Sequence, residues 1–150
     1  MSPSPAGGRA DVRLRGQFPA VRTITTRWAD EDVYGHVNNV VHYSFFDTAV
    51  NGFLIEATGS DIRVLHAVGL VAETGCQYFR ELSFPGDVAV GLAVTRLGSS
   101  SIVYRLGLFQ GNTDEPAAIG RFVHVYVDAA TRSVTPIPGV IRAAVEPLVV

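Results

Sequence analysis

The spacing of apolar and polar positions divides the chain into one short extended run, one long helix and a series of strands. Val21–Trp28 is rich in β-branched residues and predicts a first strand. Ala29–Val37 is polar, contains Gly35 and predicts a loop. Asn38–Ala57 has no proline and predicts a long helix with Asn38 as its N-cap. Val40, Val41, Tyr43, Phe45, Phe46, Ala49, Val50, Phe53 and Leu54 cover most of its circumference, while Ser44, Asp47, Thr48 and Asn51 share one stripe. A helix this apolar is expected to be largely buried, and at roughly 1.5 Å per residue it is about 30 Å long.

After Gly59 the pattern is that of strands. Leu70–Arg80, Asp87–Leu97, Ile102–Gln110 and Ala117–Asp128 are the candidates, with turns at Gly98-Ser-Ser and Asn112–Pro116. Links this short argue for consecutive antiparallel strands. Pro136–Gly139 breaks the chain, and Val140–Val145 predicts a short terminal helix. The order is strand, helix, then strands, an α+β layout. One helix against one sheet leaves a face or an edge uncovered, so an oligomer is expected.

Composition narrows the function. A chain of 150 residues suits a single domain. Residues 1–16, rich in Pro, Gly, Ala and Arg, predict a flexible tail that is neither a signal peptide nor an anchor, leaving 17–150 as the domain. The formal net charge of −2 gives no field that recruits nucleic acid or an anionic membrane. No stretch reaches the ~20 apolar residues needed to span a bilayer. Cys76 is the only cysteine, which forbids an intrachain disulfide and fits a reducing cytoplasm. It lies in a strand pattern and reads as a buried inert thiol. His36, His42, His66 and His124 lack zinc-ligand spacing, so neither a metal site nor a cofactor is expected. The chain has no Gly-x-Ser-x-Gly elbow, which argues against a serine nucleophile.

The chemistry is concentrated in Thr26–Asn39. Asp30, Glu31 and Asp32 are adjacent carboxylates, whose mutual repulsion would favour protonating one of them if water were excluded. Gly35 permits close backbone approach, and His36 can transfer protons near neutral pH. A helix start at Asn38 and Asn39 offers unpaired N–H groups and the positive end of the helix dipole. A carboxylate beside such a helix end suits acyl transfer: one group attacks or activates water while an N–H holds the oxyanion. Taken singly, each residue also has a plain reading. Asp30 can pair with Arg27, His36 can be an ordinary loop histidine, and the two asparagines can be caps.

Arg27 followed by Asp30-x-Asp32-x-x-Gly35-His36-Val37-Asn38-Asn39-x-x-x-Tyr43 resembles the active-site segment of the 4-hydroxybenzoyl-CoA thioesterase family, within the hotdog superfamily. It also looks like the Asp/His/Asn stretch of acyl-acyl-carrier-protein thioesterases. Phe84-Pro-Gly-Asp87, Gly98-Ser-Ser, Ala118-x-Gly120 and Val-x-Val-Asp128 continue the likeness, which runs from about Val21 to Ala144.

The resemblance implies a hotdog fold, with one long central helix wrapped by a curved antiparallel sheet of about five strands. It implies acyl-CoA hydrolysis with Asp32 as nucleophile or general base, the Asn39 backbone N–H as oxyanion donor and His36 in support. Tyr34 stands where carrier-protein thioesterases have a catalytic asparagine, which shifts weight to a scheme led by Asp32. Asn38, Tyr43, Asp47, Ser99 and Ser100 are the candidate substrate contacts, with Glu73 behind them. Arg80, Arg96 and Arg105 are weaker candidates for the coenzyme A phosphates, and Phe45, Phe46 and Phe53 for an acyl pocket. A homodimer or homotetramer is implied, with the sheets of a dimer joined edge to edge. The rival readings are a hotdog dehydratase or hydratase and a non-catalytic acyl-CoA-binding module.

Overall fold

The structure, a computed structural model, describes residues 11–150. The strands are β1 (Ala20–Ile24), β2 (Ala67–Tyr78), β3 (Val88–Leu97), β4 (Ser101–Phe109) and β5 (Ala118–Asp128). The helices are α1 (Asn39–Thr58) and α2 (Gly139–Val145). The strands form one antiparallel sheet in the order β1-β3-β4-β5-β2.

The ends of α1 follow from its caps. Asn38 Oδ1 accepts from the Val40 N–H at 2.9 Å. Gly59 closes the helix in the left-handed region at φ 66°, donating its N–H to Ile55 O. Between them Phe45, Phe46, Ala49, Val50 and Leu54 are buried, while Ser44, Asp47 and Thr48 face outward as the polar stripe predicts.

The sheet meets this face with alternate residues, as the two-residue period of a strand requires. Val88, Val90, Leu92 and Val94 of β3 join Ile102, Tyr104, Leu106 and Leu108 of β4 in one core with α1. Phe46 fills the space over Gly120, where a Cβ would lie 2.5 Å from its ring. Burying a phenylalanine of this kind contributes about 1.5–3 kcal/mol. A five-stranded antiparallel sheet packed on a helix in this way fits the hotdog fold. The helical layer is not α1 alone, because α2 joins it through the buried Ile141 and Val145.

Three expectations change. The strand predicted over Val21–Trp28 stops at Ile24, because Thr26 turns to donate to Gly86 O and Trp28–Asp30 winds into a 3-10 turn. The strands after α1 are not all neighbours in order. β3, β4 and β5 are, but β2 lies beyond β5 at the far edge, so residues 79–87 cross from one side of the sheet to the other. The tail expectation covered 1–16, of which 1–10 lie outside the described residues. Val12 is buried on the second face of the sheet with Phe18, Ala89, Ala93, Phe109 and Ile119, and its carbonyl accepts from Arg105 Nε.

Candidate active site

The loop between β1 and α1 is braced from within and from the crossing segment. Asp30 is buried, at 1% exposure. Its Oδ2 accepts from the Arg27 N–H at 2.8 Å, and its Oδ1 accepts from Arg27 Nε and Nη2 at 3.0 and 2.9 Å. The Asp30 carbonyl then accepts the Asn38 N–H at 3.0 Å, tying the loop to the helix start. Glu31 Oε1 accepts from the Phe84 N–H at 3.2 Å, and the Val37 N–H donates to Leu82 O at 2.8 Å. The crossing segment therefore holds both ends of the loop.

Asp32 sits at the centre of a tight turn. Its N–H donates to His36 O and its carbonyl accepts from the Gly35 N–H, each at 3.0 Å. Gly35 has φ 79°, a left-handed conformation that glycine adopts without strain. Asp32 Oδ1 accepts from the Tyr34 N–H at 2.9 Å. Among the described residues nothing donates to Oδ2. The crowded carboxylate trio does not form, since Asp30, Glu31 and Asp32 each turn to a different partner.

A cleft of about 320 Å³ opens here, lined by Asp32, Tyr34, His36, Val37, Asn38, Asn39, His42 and Glu81. It brings together Asp32, His36, Asn38 and Asn39 of the expected site. Asn39 is the first helical residue, and among the described residues nothing accepts its N–H. Asn39 and the half-buried Asp32 line the same cleft. His36 Nε2 is engaged with Glu81 Oε2 at 2.8 Å.

The other candidates lie elsewhere. Tyr43 stacks on Phe122 with ring centroids 6.2 Å apart, inside the core. Asp47 is exposed and accepts from Asn51 Nδ2. Ser99 and Ser100 lie at the β3–β4 turn, where their carbonyls accept from the Ile137 and Tyr126 N–H groups. Phe45 and Phe46 belong to the core. Arg80 donates to Glu115 O, Arg96 is exposed and Glu73 is paired with Arg121. Cys76 is half-buried rather than buried, and burial raises its thiol pKa. Among the described residues no group of three or more His, Cys, Asp or Glu is placed to hold a metal ion.

Besides Glu81, two residues at the site were not singled out from the sequence. His42 is 2% exposed, yet lines the cleft. Burial lowers its pKa, against the opposing effect of its hydrogen bond to Asn38. Tyr78 meets it edge-on, with ring centroids 4.9 Å apart, and donates its hydroxyl to Asn39 O at 3.3 Å. An apolar helix pattern around His42 and a strand pattern around Tyr78 conceal both.

Residues 26–145 match the family model of the thioesterase-like superfamily. The chain belongs to the thioesterase-like superfamily. Its enzymatic class is thioester hydrolysis. The thioesterase-like chain is similar over most of its length to solved structures. The PA5185 protein from Pseudomonas aeruginosa strain PAO1 is 47% identical, with a TM-score of 0.87 over 91% of this chain and 95% of that one. The PA2801 protein from Pseudomonas aeruginosa is 30% identical, with a TM-score of 0.77 over 85% and 98%. A thioesterase from Thermus thermophilus, complexed with coenzyme A and Zn, is 27% identical, with a TM-score of 0.73 over 87% and 94%. No curated protein sequence matches the thioesterase-like chain. No helix among its described residues is long and apolar enough to cross a membrane.

Proposed function

We propose that the protein hydrolyses an acyl-CoA to a carboxylic acid and free coenzyme A, with Asp32 as the reacting carboxylate. The supporting observation is that Asp32 and Asn39, whose N–H no described residue accepts, line the same cleft. Asp32 is held by one oxygen on the Tyr34 N–H, which leaves the other for the thioester carbonyl or for a water. The Asn39 N–H, at the positive end of a 20-residue helix, stabilises the oxyanion that develops. Such a donor typically contributes about 2.7–4 kcal/mol of barrier lowering. His36, tied to Glu81, supports the loop.

The protein works as a homodimer or homotetramer in the cytoplasm. β2 is an edge strand with much of its length exposed, which is what a sheet-to-sheet contact needs. The Thermus relative with bound coenzyme A supports coenzyme A as the carrier.

Release of free thiol from a panel of aromatic, short-chain and long-chain acyl-CoAs tests the function. Hydrolysis liberates thiol, whereas hydration of the acyl chain or simple binding does not. Thiol release from none of the panel would contradict the reading.

A further inference from the structure

The cleft is lined by a second histidine, His42, besides His36. We propose that the His42 imidazole is the general base that activates the hydrolytic water, leaving Asp32 to act as the nucleophile. This rests on thioester hydrolysis as proposed above, and it assigns one of the two possible roles to Asp32.

Hydrogen bonding fixes the tautomer of the imidazole. His42 Nδ1 lies 3.2 Å from the Asn38 carbonyl oxygen, a group that only accepts. Nδ1 therefore carries the proton, and in the neutral ring Nε2 holds the lone pair. The ring is fixed a second time by its edge-on contact with Tyr78. Tyr78 is itself anchored on Asn39 O, so the ring, the helix start and the oxyanion donor form one unit. Burial favours the uncharged ring, which is the form a base needs.

The competing imidazole is differently placed. His36 donates its Nε2–H to Glu81 Oε2 at 2.8 Å, which ties that ring to the crossing segment rather than to the helix start. Among the described residues nothing is bonded to His42 Nε2 or to Asp32 Oδ2. The cleft is thus lined by Asp32, with one carboxylate oxygen that no described residue bonds, and by His42, with one imidazole nitrogen in the same condition.

The reaction then runs in two steps. Asp32 Oδ2 attacks the thioester carbonyl. A C–O bond forms, the C–S bond breaks, and its electron pair leaves with sulfur as the coenzyme A thiolate. The product is a mixed anhydride on Asp32. A water then attacks the acyl carbon and gives one proton to His42 Nε2. The C–O bond to Asp32 breaks, which restores the carboxylate and releases the acid. The imidazolium passes its proton to the thiolate or to solvent. The Asn39 N–H holds the oxyanion in both steps.

The test uses two substitutions. In His42→Asn the side-chain amide reproduces the Nδ1 donor to Asn38 O, so the structural hydrogen bond survives and the base is lost. In His42→Gln the amide reaches the Nε2 position without accepting a proton. Each variant is mixed rapidly with an acyl-CoA that the wild type hydrolyses, while thiol release and intact protein mass are followed. A burst of about one thiol per subunit is expected, then turnover reduced roughly 10²-fold or more. An acyl adduct mapping to Asp32 should accumulate during the burst. Near-wild-type turnover in either folded variant overturns the assignment, as does slow turnover without burst or adduct. If neither variant folds, the wild type quenched in acid during turnover decides: acyl–Asp32 must be detectable, and its absence overturns the proposal. A wild type that releases no thiol from any acyl-CoA brings down the proposed function itself, a distinguishable result.

Discussion

Asp30 and Asp32 are two residues apart in the chain and do opposite work. Asp30 is buried and accepts three hydrogen bonds from Arg27, whereas Asp32 is half-buried and faces a cleft. Asp30→Ala is therefore expected to lower stability by about 1–3 kcal/mol, through the lost charge-assisted bonds. Asp32→Asn should change it by less than about 0.5 kcal/mol. Paired chemical-denaturation curves check the difference. The sequence already offered Arg27 as the partner of Asp30, and the family resemblance singled out Asp32. Glu81 was not legible, because its contact with His36 depends on where the crossing segment runs. Protonation adds a second test at this scale. Burial lowers the pKa of both His42 and His124 below the ordinary histidine value of about 6.5. The unfolded chain then binds more protons than the folded one in that range. The stabilising contribution of the neutral rings is fully present above about pH 6.5 and is lost as the pH falls through the folded-state values. Thermal melts from about pH 7.5 down to about pH 5 should show a falling midpoint, and replacing both histidines with phenylalanine should flatten that fall. An equally steep fall in the double variant would contradict it.

At the scale of elements, the helix was the most legible part. Asn38 and Gly59 mark its ends, and the polar stripe marks its outer face, because all of these are local properties. Strand spans were nearly as clear, but strand neighbours were not. Alternation tells which residues face the core without telling which strand lies alongside, so β2 was placed beside β3 instead of beyond β5. Close packing between elements was equally hidden. Gly120 reads as an ordinary strand glycine, yet α1 approaches so closely there that Phe46 occupies the Cβ position. Gly120→Ala is expected to cost about 1–3 kcal/mol through overpacking. The comparable change at Gly75, where a Cβ would meet nothing within 4 Å, should be far milder. Unfolding midpoints of the two variants, measured side by side, check this.

At the scale of the molecule, one edge of the sheet is unfinished. Leu70, Val71 and Tyr78 of β2 are 45%, 47% and 42% exposed along a strand whose outer side has no partner within the described chain. Long exposed edges are normally blunted or paired. Light scattering should therefore give a mass twice or four times the 16.1 kDa of the chain, and a stable monomer would contradict it. The same edge ends at Tyr78, beside His42, so the unpaired edge and the cleft meet at one place. The central claim is nevertheless about a single carboxylate. Thiol release from an accepted acyl-CoA, compared between wild type and folded Asp32→Asn, tests it directly. A loss of roughly 10²-fold or more in kcat is the predicted result. Turnover close to wild type in the folded variant would contradict the account.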